Sequence, residues 1–198
     1  MRARPHAGPV PQPALDRMVP FAGHAVVVGV VPGGDPLVVR TAAAWADAAG
    51  SRLVAAYADA SRAVVEENPD GSVTHVSLDP DSADDAWQHT AERLRAEVGA
   101  ELAGARVPWE LRYLAGRPDR ALTHLARAVD AAVIVVGSRA PGSLAHVREL
   151  VEGSVAVHLA HHQHRPVLTV PLAGVGWKEV RAPGERWGLC SAPRPRAE

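Results

Sequence analysis

The sequence predicts an α/β fold: a doubly wound parallel sheet with helices on both faces, plus an inserted β-hairpin. Three observations support this prediction. Short runs of Val, Ile and Ala that do not alternate with polar residues are typical of strands buried on both faces. Segments with helical periodicity separate these runs, as right-handed βαβ crossovers require. The turn sequence Asn68-Pro69-Asp70-Gly71 lies between two β-prone segments and predicts the hairpin.

The composition favours a single cytoplasmic domain. The chain has 198 residues, 47% of them hydrophobic but only 4% aromatic, so we expect a core of Ala, Val and Leu. A formal net charge of −1 provides no field to attract nucleic acid or a membrane surface. No apolar run approaches the roughly 18–20 residues that cross a bilayer. The single cysteine, Cys190, cannot form an internal disulfide, which fits a reducing cytoplasm.

The chain divides into three segments. Residues 1–22 contain five prolines and little apolar periodicity, so they are predicted to be a disordered extension. Met18 lies just before the first strand and is an alternative start. Residues 23–172 hold the predicted strands and helices and form the α/β domain. Residues 173–198 are rich in Gly, Pro and Arg and are predicted to be a tail.

The first βαβ unit has clear boundary signals. His24–Val31 is a continuous apolar run and predicts a central strand. Asp35 is suited to cap the following helix and Pro36 to begin it, because the first turn leaves backbone N–H groups unpaired. Gly50 is placed to end that helix. Arg52–Ala58 predicts the second strand.

The middle of the chain adds the hairpin before the third strand. Val64–Glu67 and Ser72–Leu78 flank the turn and predict an exposed, acidic hairpin. A helix is predicted from about residue 82 to residue 103. Trp109–Leu114 then predicts the third strand of the sheet.

The last third of the chain repeats the alternation. Gly116 and Pro118 predict the end of a strand and the start of a helix. Ala132–Ser138 predicts the fourth strand, and a final helix is expected from about residue 153 to residue 162. Val167–Val170 predicts the fifth strand.

The candidate site is the point where the fourth strand ends. Gly137 and Ser138 follow a buried apolar run, and Gly153 and Ser154 precede the last helix. Ligands of open α/β sheets bind at this edge, where backbone N–H groups and helix N-termini favour anions. The same residues are equally consistent with an ordinary strand-to-helix connection, whose turns also need glycine.

This stretch resembles the glycine-serine signature of the universal stress protein family. That signature has a strand ending Val-Gly-Ser, a Gly-x-x-Gly pair, nine further residues and then Gly-Ser/Thr. The resemblance covers about residues 24–171 and implies five parallel strands in the order 3-2-1-4-5. The sequence departs from the family pattern in three places. Ala140 replaces the second glycine, and twelve residues rather than nine separate it from Gly153. Val31 stands where the family's first strand usually ends in Asp.

The resemblance implies a regulatory protein that binds ATP or AMP between the first and fourth strands, with Mg²⁺ if ATP is bound. Ribose and phosphates would contact backbone N–H groups and hydroxyls of the loop, and adenine would lie against the first two strands. The implied nucleotide-binding residues are Val30, Val31, Ala56, Gly137, Ser138, Gly153, Ser154 and Val155. The resemblance also implies a homodimer formed through the fifth strand.

The sequence also allows functions other than nucleotide binding. The three departures favour an alternative: a dimeric interaction protein of the same fold, with an unknown protein partner and no nucleotide. His158, His161 and His162 share a helical face, but no third ligand lies nearby in sequence, so a metal site is not expected. The sequence contains no Gly-Lys-Ser/Thr motif and no evident base–nucleophile pair, so an enzyme is not expected and no catalytic residue is assigned.

Overall fold

A computed structural model describes residues 18–79, 86–138 and 155–172. Its centre is a five-stranded parallel sheet with the strand order β5-β2-β1-β6-β7, and β3 and β4 form a separate antiparallel pair. Leaving out the hairpin strands, this order is the predicted 3-2-1-4-5, so the predicted fold is confirmed. The strands are β1 Val26–Gly29, β2 Leu53–Asp59, β3 Arg62–Glu67, β4 Val73–Ser77, β5 Trp109–Ala115, β6 Val133–Gly137 and β7 Val167–Val170.

Helices cover both faces of the sheet. They are α1 Pro36–Ala48, α2 Ala86–Glu101, α3 Pro118–Ala128 and α4 Val155–His162. Successive residues of β1 point to opposite faces: Val26 and Val28 pack with α1 and α2, whereas Val27 packs with α3 and α4. Because all three are fully buried, the strand is apolar throughout instead of alternating. No helix in the described ranges is both long enough and apolar enough to span a bilayer.

Local capping signals set the helix boundaries as predicted. The Asp35 carboxylate accepts a hydrogen bond from the Leu37 N–H at 2.9 Å, and Pro36 is the first residue of α1. Gly50 has φ +60° just after that helix, a conformation that glycine adopts without strain. Pro118 likewise begins α3.

Strand boundaries differ slightly from the prediction. β1 covers Val26–Gly29 instead of His24–Val31. The Val30 N–H still donates to the Ala56 carbonyl, but the Val31 carbonyl accepts from the Gly34 N–H at 2.9 Å. The chain therefore turns at Val31 and cannot continue the ladder, although the residue type favours a strand.

The predicted hairpin is present. It was predicted to be exposed, but its inner face packs against the rest of the domain. Arg62 is 4% exposed, and its Nε donates to Nδ1 of His75 at 2.7 Å. Ring centroids of His75, Trp87 and Tyr113 lie 5.1–5.5 Å apart and join the hairpin to α2 and β5. Only the outer face matches the prediction, with Val65 62% exposed.

Some of the predictions concern residues outside the ranges that the structure describes. Most of the N-terminal extension (residues 1–17), the pair Gly153-Ser154 and the C-terminal tail from residue 173 lie outside the described residues. The division into extension, domain and tail therefore stays a prediction.

Candidate functional site

A cleft of about 320 Å³ opens at the carboxyl edge of the sheet, where β1 and β6 lie side by side. Neighbouring parallel strands all end at this edge, so the loops that follow them meet here. Six of the eight residues predicted from the sequence line the cleft: Val30, Val31, Ala56, Gly137, Ser138 and Val155. The other two, Gly153 and Ser154, lie outside the described residues.

The walls of the cleft are largely apolar. Val38 and Val39 of α1, Leu94 and Val98 of α2, and Leu122 of α3 all line it. These side chains belong to the buried clusters on both faces of the sheet, so the walls are continuous with the core. Such a surface suits a flat, weakly polar group, and the few polar side chains among the lining residues would orient it.

The loop between β1 and α1 forms one rim of the cleft. Val31 is 60% exposed and leaves the sheet at the mouth of the cleft. Gly33 has φ +65°, and Gly34 closes a turn onto Val31. Asp35 both caps α1 and lines the cleft, so its carboxylate lies at the rim although it is engaged with the Leu37 N–H.

Gly137 and Ser138 make contacts that the sequence did not reveal. A Cβ at Gly137 would lie 3.0 Å from Leu172 Cδ1 and 3.1 Å from Val38 Cγ2, so a larger residue would require these side chains to shift slightly. The Ser138 N–H donates to the Val170 carbonyl at 2.7 Å. The Ser138 hydroxyl accepts from the Leu172 N–H at 2.9 Å. The hydroxyl hydrogen of Ser138 can still be donated to a ligand, whereas its backbone N–H is already used.

Two acidic residues of α2 that line the cleft, Glu97 and Glu101, were not predicted from the sequence. The Glu97 carboxylate accepts from the Gly33 N–H at 3.0 Å, and Glu101 accepts from Arg40 at 2.8 Å. A signal was available, because Glu97 and Glu101 each lie three residues after a buried residue of α2, Leu94 and Val98, and so border its buried face.

The histidines singled out from the sequence lie away from the cleft. The rings of His158 and His162 stack with centroids 5.9 Å apart. Another histidine, His124 of α3, also does not line the cleft, and its Nδ1 lies 3.3 Å from a carboxylate oxygen of Glu67 in the hairpin. Within residues 18–79, 86–138 and 155–172, no group of three or more His, Cys, Asp or Glu side chains could hold a metal ion.

The model of the universal stress protein family matches residues 23–171. Among solved structures, a universal stress protein in complex with cAMP is 26% identical, with a TM-score of 0.52, covering 77% of this chain and 99% of that one. A universal stress protein from Archaeoglobus fulgidus is 20% identical, with a TM-score of 0.53 and coverages of 75% and 94%. A family member from Burkholderia pseudomallei is 21% identical, with a TM-score of 0.51 and coverages of 74% and 95%. Comparison with curated proteins gives no significant match.

Proposed function

The chain belongs to the universal stress protein family, and on that premise we propose that it is a regulatory protein that binds an adenine nucleotide in the cleft between β1 and β6. The observation that carries the proposal is the convergence of six sequence-predicted residues on one cleft at the ligand-binding edge of the fold. The relative that is 26% identical was solved with cAMP, an adenine nucleotide, which supports the same ligand class.

The residues that line the cleft are suited to the two parts of such a ligand, the adenine base and the ribose with its phosphate. Adenine would lie against Val30, Val31 and Ala56, where the walls are apolar. Ribose and phosphate would extend toward Ser138 and Val155, at the start of α4, where the positive end of a helix dipole favours an anion. Gly153 and Ser154 precede α4 in the chain and would contribute backbone N–H and hydroxyl groups.

Mg²⁺ would be needed only if ATP is the ligand. The cleft carboxylates Asp35, Glu97 and Glu101 already accept hydrogen bonds from protein groups. Mg²⁺ commonly binds through substrate phosphates and water with few protein ligands, so it would accompany the phosphates of ATP.

The test is isothermal titration of nucleotide-free protein with cAMP, AMP and ATP. We expect saturable one-to-one binding. Val155→Asp places a carboxylate where the phosphate would lie and should weaken AMP binding about tenfold or more. Val157→Asp is the matched control, because it adds the same charge to an exposed position of α4 that does not line the cleft. Absence of binding at millimolar ligand, or equal losses in the two variants, would contradict the proposal.

We also propose that the chain forms a homodimer through β7. This strand is at the edge of the sheet, with β6 on one side. At the opposite edge, β5 contacts the hairpin through the His75 and Tyr113 rings, 5.5 Å apart. A dimer through β7 is compatible with nucleotide binding. It is also part of the alternative function, in which the protein is a dimer that binds an unknown protein partner and no nucleotide. The use of the Ser138 N–H by β7 and the packing of Leu172 on Gly137 favour that alternative.

A further inference from the structure

We infer that the cleft selects adenine ligands of low negative charge, such as adenosine, cAMP or AMP, over ATP. This inference rests on the proposed function and concerns the charge of the ligand that the same site prefers. Its basis is the sign of the charged side chains that line the cleft. Among the described residues these are Asp35, Glu97 and Glu101, and all three are acidic.

The cations near these carboxylates are already engaged. Nε of Arg40 donates to Glu101 at 2.8 Å, and the Arg40 side chain is 65% exposed. Nε of Arg93 lies 3.3 Å from a Glu97 oxygen, one helical turn away on α2. Each guanidinium partly neutralises one glutamate, and neither lines the cleft. The described wall therefore presents carboxylate oxygens to a ligand and no cationic side chain.

Carboxylate oxygens and phosphate oxygens both accept hydrogen bonds and both carry negative charge. A ribose hydroxyl or an adenine amino group can donate to Glu97 or Glu101, so the neutral part of a nucleotide is compatible with this wall. Repulsion, by contrast, grows with the number of phosphates, since ATP carries about two more negative charges than AMP. A cleft of about 320 Å³ keeps these charges within about one Debye length, roughly 8 Å at physiological salt.

The experiment is titration with adenosine, AMP, cAMP and ATP in magnesium-free buffer at low ionic strength. We expect AMP to bind roughly threefold to tenfold more tightly than ATP. The double variant Glu97→Gln/Glu101→Gln keeps hydrogen-bond acceptors for Gly33 and Arg40 but removes two negative charges. It should make the affinities for AMP and ATP nearly equal. Glu92→Gln is the control, because Glu92 is an exposed residue of α2 that does not line the cleft.

A second measurement needs no substitution. Raising NaCl from about 0.05 M to about 0.5 M should narrow the preference for AMP in the unmodified protein, because salt screens the repulsion. Tighter binding of ATP than of AMP in magnesium-free buffer would overturn the inference. So would a preference for AMP that the double variant leaves unchanged. If none of the four compounds binds, the proposed function fails and the inference fails with it.

Discussion

Tyr113 and Asp59 form a hydrogen-bonded pair beside the hairpin, between β5 and the end of β2. Burial and the neighbouring Asp59 carboxylate raise the pKa of Tyr113. Burial would raise the pKa of Asp59 as well, but hydrogen bonds from Ser61 and Tyr113 hold it below the ordinary value of 3.8. The folded protein thus favours a neutral phenol donating to an ionised carboxylate, and the pair joins two strands at the base of the hairpin.

This pair predicts a specific pH dependence. A raised phenol pKa gives stability that is present below pH 10.0 and is lost as the pH rises further. A lowered carboxyl pKa gives stability that is present above pH 3.8 and is lost as the pH falls. Tyr113→Phe should lower the free energy of unfolding by about 1–2 kcal/mol at pH 7.

Urea unfolding of the wild type and Tyr113→Phe at about pH 3, 7 and 10.5 measures this effect. The difference between the two proteins should be largest at pH 7 and should shrink at both extremes. Other titrating groups cancel in that difference, because both proteins contain them. A difference that stays constant with pH would show that the phenol acts only by packing.

At the scale of elements, the hairpin turn packs against α3. Gly71 has φ +82°, and a Cβ there would lie 2.8 Å from Leu125 Cδ1 and 3.0 Å from Ala128 Cβ. The turn therefore needs glycine both for its conformation and for its contact with α3. The Asp70 carboxylate, 3.4 Å from the Arg112 guanidinium, ties the same turn to β5.

Gly71→Ala should destabilise the protein by about 2–4 kcal/mol, because a strained backbone conformation and overpacking add together. Gly33→Ala is the matched control, because Gly33 also has positive φ but a Cβ there would meet no atom within 4 Å. The control should lose only about 1 kcal/mol. Thermal and urea unfolding measure both variants, and equal losses would mean that the contact with α3 contributes nothing.

The sequence predicted the elements well because their signals are local. The apolar run before Gly137 and the cap at Asp35 depend on neighbouring residues, and both appear as expected. The docking of the hairpin could not be predicted in the same way, because it depends on Gly71 meeting Leu125, far away in sequence. The same holds for the bond between Gly33 and Glu97, which lie 64 residues apart and come together only in the folded chain.

At the scale of the whole molecule, the side of β7 that has no strand partner among the described residues allows a test of the proposed dimer. The carbonyl oxygens of Pro166, just before β7, and of Val170 point toward β6 and accept hydrogen bonds from the N–H groups of Ile134 and Ser138. Backbone groups of a parallel strand alternate in direction, so the N–H of Thr169 points away from β6. Thr169→Pro removes that donor without removing a hydrogen bond of the sheet.

Thr169→Pro should convert the dimer to a monomer while the far-UV spectrum stays unchanged. Thr169→Val keeps the N–H and should remain dimeric. Light scattering coupled to size-exclusion chromatography measures the mass of each. A wild-type monomer, or a proline variant that still dimerises, would contradict assembly through β7.

The hydrogen bond from the Leu172 N–H to the Ser138 hydroxyl has a practical consequence for spectroscopy. This bond holds Leu172, the last described residue, at the cleft, because Ser138 and Leu172 both line the cleft. The segment that continues from residue 173 carries the single cysteine, Cys190. A thiol-reactive fluorophore therefore has one possible attachment position in the unmodified sequence, eighteen residues after Leu172. Its emission can be followed during a nucleotide titration without introducing or removing any residue.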